Sequence, residues 1–197
     1  MLTTSFEVLD WRRRVHALYA AVRAEADPPS AHAIWRVGRE DLFRTHPASP
    51  LAPGHRLAYA PYDPALRWVL PVAEAPPERR EVDTATDGVV PFERVGRLDL
   101  GALGTLQVWW LDSYGGGVFV PLKDATAGPT SYGGGRYLLD TVKGADLGGD
   151  RDALVVDLNF AYNPSCAYDP AWVCPLAPPG NTLAAPVHAG ELLPVPG

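Results

Sequence analysis

Residues 89–160 read VVPFERVGRLDLGALGTLQVWWLDSYGGGVFVPLKDATAGPTSYGGGRYLLDTVKGADLGGDRDALVVDLNF. Short runs with strand character alternate here with glycine: Phe92 to Leu100, Leu103 to Leu111, Gly117 to Leu122, Arg136 to Val142 and Leu154 to Phe160. No helical period intervenes, so the runs predict an antiparallel meander. The fold class expected is mainly β with N-terminal helices (α+β): an antiparallel barrel or sandwich, with two helices packed outside.

Upstream, Val8, Trp11, Val15, Leu18, Tyr19 and Val22 recur at three- and four-residue steps, which predicts an amphipathic helix from Ser5 to Ala24. Thr4 with Glu7 reads as its capping box. Trp11, Val15, Leu18 and Val22 are the face expected to lie on the sheet. Asp27-Pro28-Pro29 ends this helix, and Ser30 is placed to cap a second one carrying Ile34, Trp35, Leu42 and Phe43. Trp11-Arg12-Arg13-Arg14 is either a solvated helix side or a contact patch for an anionic partner.

Prolines dominate Thr45 to Pro77, so structure there is expected to be short and edge-like, with Leu66 to Leu70 as one strand. Proline and glycine together make up 40 of the 197 residues, which limits long helices. The chain therefore divides into a helical lead-in (1–44), a Pro-rich arm (45–88), antiparallel strands (89–162) and a Pro-rich tail (163–197), as one domain.

A net charge of -6 argues against nucleic-acid binding, which draws on clustered Lys and Arg. The longest apolar runs, such as Val118 to Leu122, fall far short of a membrane span. Glu7 and Asp10 precede the arginines with no apolar stretch after them, so a cytoplasmic location is expected. In that compartment Cys166 and Cys174 are expected as reduced, unmetallated thiols, since their eight-residue separation suits neither a redox C-x-x-C nor a zinc site. The five histidines show no ligand spacing.

Ser113 to Gly117 returns as Ser131 to Gly135, each run preceding a strand and then an aspartate, Asp124 or Asp140. The glycines serve either as strand-entry turns or as an anion-binding nest of free amides. Neither run is a P-loop or a dinucleotide fingerprint. Period-two alternation puts Arg136 and Asp140 on one face of their strand, and Asp157 and Asn159 on one face of theirs. The ligand site this predicts is Gly133, Gly134, Gly135, Arg136, Asp140, Asp157 and Asn159, holding a small polar or anionic ligand at a barrel mouth. The other readings of the same faces are a solvated surface and a structural salt bridge. A rival function is a hydrolase or isomerase with Asp157 as general base or Cys166 as nucleophile. A third is a flavin-type barrel whose glycine turns hold phosphate, although no motif implies a cofactor and no metal is expected. Trp109-Trp110 sends one ring to each face of its strand, one of them to the core.

YGGGRYLLDTVKGAD (residues 132–146), DLNFAYNPSCAYDPAWVCPLAPPGN (residues 157–181) and the opening DWRRRVHALYAAVRA with DLFRTHPASPL resemble the bacterial and archaeal domain-of-unknown-function family 1684 over nearly the whole chain. The resemblance implies a shared fold and lends no reaction. It marks the glycine turn, Arg136, Asp140, Asp157, Asn159 and the Cys166 loop as signature positions. Gly180-Asn181 stands where relatives commonly carry Glu before the asparagine, so no carboxylate role is carried over there.

Overall fold

Four of the five glycine-punctuated runs enter a five-stranded antiparallel sheet, whose remaining strand is Arg79–Thr84. The computed structural model describes residues 2–84 and 88–197. In chain order the elements are α1 (Leu2–Ala24), α2 (Pro28–Thr45), β1 (His55–Arg56), β2 (Arg67–Leu70), β3 (Arg79–Thr84), β4 (Gly88–Asp99), β5 (Thr105–Leu111), β6 (Gly117–Leu122), β7 (Arg136–Asp140), β8 (Leu154–Asp157) and β9 (Val195–Pro196). The large sheet has the order β3-β4-β5-β6-β7. Two-stranded pairs β2-β8 and β1-β9 accompany it. The class is α+β with mostly antiparallel sheets. Among the described residues no continuous ladder closes the five strands into a barrel.

Alternation explains why the sheet is buried on both faces. Leu98, Leu106, Val108, Val120 and Leu122 join the larger core with Tyr19, Val22 and Trp35 of the helices and Val156 of β8. Phe92, Trp109, Leu111, Phe119 and Tyr137 form a smaller, aromatic core on the other face. Trp109 is fully buried and donates Nε1–H to Asn181 Oδ1 at 2.9 Å, while Trp110 is part-exposed, as one ring per face requires. Asn181 Nδ2 donates to the carbonyls of Gln107 and Pro121, each at 2.8 Å, so the Pro-rich tail is clasped to β5 and β6.

Several sequence expectations are corrected. The first helix begins at Leu2, so Thr4 stands within its first turn and not at its cap. Asp27, not Ser30, caps α2: its carboxylate accepts from the Ser30 amide at 3.0 Å and the Ser30 hydroxyl at 2.7 Å. Pro28 and Pro29 fit the first helical positions because those backbone N–H groups have no partner within a helix. Trp11 packs edge-on against Phe43 and His46 near the end of α2, with ring centroids 5.1 and 5.4 Å apart, and not on the sheet. β3 forms in the segment assigned to the arm, as an edge strand. β8 pairs with β2 rather than with the meander.

The last predicted strand also stops early. Leu158–Phe160 is a 3-10 turn, because the Asp157 carboxylate accepts the Asn159 amide at 3.0 Å and so draws the backbone out of the extended form. The alternation assumed through Asn159 therefore ends at Asp157.

Candidate functional site

The repeated glycine motif sets the geometry. β6 and β7 follow the two runs and pair antiparallel, with Phe119 opposite Asp140 and Leu122 opposite Arg136. The two aspartates that follow the strands are thereby sent to opposite ends of the pair. A register shift in β7 between Tyr137 and Leu139 breaks the strict alternation that set Arg136 and Asp140 on one face.

At one end Arg136, 1% exposed, donates from Nη2 to Asp124 Oδ2 at 2.7 Å and to the Val187 carbonyl at 3.2 Å. Its Nη1 donates to the carbonyls of Ala189 and Glu191. Asp124 Oδ1 accepts the amides of Thr126 at 2.8 Å and Val187 at 3.0 Å. Burial opposes ionisation of Asp124, but Arg136 and Thr126 outweigh it and hold the carboxyl below its usual range. This buried ion pair binds the tail to the sheet through both Nη groups, while Arg136 Nε is left without a partner.

Asp157 and Asn159 form a second, separate network. Asp157 Oδ1 also accepts Asn159 Nδ2–H at 2.7 Å, and Oδ2 accepts the Tyr62 hydroxyl at 3.3 Å. Asn159 Oδ1 accepts the Asp63 amide and its Nδ2 donates to the Asp63 carbonyl, both at 2.8 Å. Burial raises the Asp157 carboxyl, with Asn159, Tyr62 and Arg67 opposing it. Asp157 lines none of the cavities described below.

The second glycine turn serves close packing. Gly135 takes φ +92°, and a Cβ there would lie 2.7 Å from the Leu122 carbonyl oxygen. Its amide donates to the Tyr132 carbonyl at 2.9 Å, so it is not free for an anion.

The other end of the strand pair is open. Asp140, 3% exposed, accepts the Lys143 amide at 3.3 Å and caps the turn Thr141–Lys143. Three adjoining cavities share Lys143 as a wall. The widest, about 360 Å³, runs over the aromatic core: Val90, Phe92, Leu111 and Phe119 form its floor, with Arg12, Asp140 and Lys143 at its edge. A second, about 270 Å³, lies between Trp11, Arg12, Lys143, Trp172 and Cys174. The narrowest, about 70 Å³, reaches inward past Asp140 to Tyr19, Arg39, Tyr162 and Asn163. Asn163 is 1% exposed and its Oδ1 has no hydrogen-bond partner. Behind it Arg39 is paired with buried Glu191 at 2.9 Å, and Glu191 also receives the Tyr168 hydroxyl and, at 3.0 Å, the Asn163 amide.

Burial raises the Asp140 carboxyl, while Lys143 and Arg12 oppose that rise from the cleft. Lys143 and Arg12 are both exposed. The cleft thus offers an apolar floor, a buried acid and two cations at the rim. Of the seven residues predicted as ligand contacts, only Asp140 lies in it. Sequence reasoning overlooked Lys143, one of two lysines in the chain, and saw Arg12 only as part of a basic run. Cys166 is half-buried on the Ser165–Ala167 turn beside Cys174, and both thiols are free. Among the described residues no group of three or more His, Cys, Asp or Glu converges as a metal site, and no helix is long and apolar enough to cross a membrane.

A family model described as "Protein of unknown function (DUF1684)" matches residues 55–192. The chain belongs to this family. DUF1684 thus takes in most of the arm, the five-stranded sheet, the β2-β8 pair, Asp140, Lys143 and the cysteine loop, while α1 and α2, including Arg12, and β9 lie outside the match. The solution NMR structure of an uncharacterized protein from Haloarcula marismortui is similar to this DUF1684 chain at 31% sequence identity, with a TM-score of 0.57, covering 80% of this chain and 89% of that one. No curated protein matches the sequence.

Proposed function

We propose that this DUF1684 protein is a cytoplasmic, barrel-like module that binds a small amphipathic anion in the cleft over Asp140. The barrel-like reading is supported by single bridges, Ala73 to Arg97 and Tyr137 to Tyr162, which bring the flanks of the β2-β8 pair against β4 and β7. The observation that carries the ligand reading is the buried Asp140 carboxyl flanked by two exposed cations above an aromatic floor. A cavity of this size and lining suits a small molecule with an apolar body and a few polar groups. An acidic group on the ligand would meet Arg12 and Lys143, and a hydroxyl or amine would donate to Asp140. Asp157 suits a catalytic base poorly, since its carboxylate oxygens are engaged by Asn159 and Tyr62 away from the cavities.

Anilinonaphthalene sulfonate, an aromatic anion whose fluorescence rises on burial, is a suitable probe. Saturable binding is expected, weakened about tenfold by Lys143→Glu and by Arg12→Glu, a loss of ~1.4 kcal/mol each. Both side chains are exposed, so the variants should keep the native melting temperature. Unchanged binding in both variants would overturn the assignment.

A further inference from the structure

We propose that Cys166 and Cys174 form a dithiol site that reacts with hydrogen peroxide and closes reversibly into a disulfide. The fold brings together two sulfurs that are eight residues apart in sequence. The Ser165–Ala167 turn is fixed by amides of Tyr168 and Asp169 donating to the Ser165 carbonyl at 3.0 and 3.1 Å. The chain reverses where the Trp172 amide donates to the Asp169 carbonyl at 3.1 Å. It is then pinned by the Tyr137 hydroxyl, which donates to the Pro175 carbonyl at 2.6 Å. Between these anchors the segment 174–176 meets the contact between Tyr132 and Cys166: a Cβ at Gly134 would touch both the Tyr132 ring and Leu176, and each thiol shifts the other's titration. Both are half-buried, which leaves a small oxidant a route in.

The pair is asymmetric. The Tyr132 hydroxyl donates to Cys166 Sγ at 3.5 Å. Its ring crosses the turn at Gly134, where a Cβ would fall 2.5 Å from Tyr132 Cε1, so glycine keeps that approach open. The Cys174 thiol and Tyr132 hydroxyl draw Cys166 down to about 6 against the opposing effect of burial, whereas Cys174 is raised by Cys166 and by burial. Tyr132 itself is pushed up to about 12, chiefly by Cys166, so it remains a donor at neutral pH. These are the roles of an attacking thiolate and a protonated resolving thiol.

In the first step the Cys166 thiolate attacks one peroxide oxygen: an S–O bond forms, the O–O bond breaks, and hydroxide leaves to take up the proton that Cys166 had released. In the second step Cys174 sulfur attacks the sulfenic sulfur: an S–S bond forms, the S–O bond breaks, and the departing hydroxide takes the Cys174 proton. Two thiols are oxidised and one peroxide is reduced to two waters. A thiol reductant reverses the change.

Intact-mass analysis of the full chain after titration with hydrogen peroxide tests this. One equivalent should remove two hydrogens and both titratable thiols, with dithiothreitol restoring them. Cys174→Ala should instead accumulate a sulfenic acid at Cys166 that dimedone traps. Iodoacetamide alkylation of Cys166 should inflect near pH 6 in the native chain and shift upward in Tyr132→Phe. Independent oxygen adducts on the two cysteines without disulfide, or a Cys166 inflection at the ordinary thiol value of about 8.5, would overturn the proposal.

Discussion

Replacing Asp124 by alanine will lower the unfolding free energy by about 3–5 kcal/mol, because the Arg136 guanidinium then remains buried without its counter-charge. In a chain of this length that corresponds to a fall in melting temperature on the order of 10 °C. Arg136 and Asp124 are each 1% exposed at the side chain, and relief by water would require the tail around Val187 to detach. The double variant Asp124→Leu with Arg136→Met should recover most of the loss, since a well-packed apolar pair often equals or exceeds a buried ion pair. A loss below ~1 kcal/mol for Asp124→Ala in denaturant titration would show that the pair is solvated and does not anchor the tail.

The second large effect is on the pH dependence. Between pH 7 and pH 4 the native protein should lose about 3 kcal/mol more stability than a His32→Gln variant. His32 is buried on Trp35, Tyr62 and Phe160, and its Nε2 donates to the Asn159 carbonyl at 3.0 Å. Burial draws its imidazole down from 6.5 to about 4; the Asn159 carbonyl opposes this and the Arg36 charge adds to it. Between those values the unfolded chain binds the proton and the folded chain does not, so stability falls as pH falls through that window. Burial raises the Asp140 and Asp157 carboxyls, which act in the opposite sense, but both proteins keep them and the difference isolates His32. Glutamine retains a donor for Asn159. Parallel stability curves for the two proteins would contradict this account.

The strands were legible where glycine bounds a run of alternating or β-branched residues, as at Gly117–Leu122, whose limits are those expected. Their partners were less so. That β8 joins β2 depends on contacts nearly ninety positions apart, which local pattern does not carry. Asp157 ends its strand because a short carboxylate can take a neighbouring amide, and alternation arguments ignore that competition. The same limit governs the site. Arg136 and Asp140 were seen as a pair from spacing alone, but they stand at opposite ends of β7 and the bulge between them breaks the face they were expected to share. Arg136 does form a buried salt bridge, but with Asp124, which stood on neither of the two faces considered. The cleft draws Arg12, Lys143, Phe92 and Cys174 from four distant segments, so only its base, Asp140, was accessible from sequence.

The measurement that tests the cleft most directly is a backbone amide NMR titration of the isotopically labelled full chain with naphthalene sulfonate. Saturable shift changes are expected at Gly117 to Phe119, Asp140 to Ala145 and Ser165 to Pro175, the segments that border the cavities. Changes centred on Gly133 to Arg136 or on Asp157 to Asn159, or no saturable change at all, would contradict the cleft over Asp140 as the ligand site.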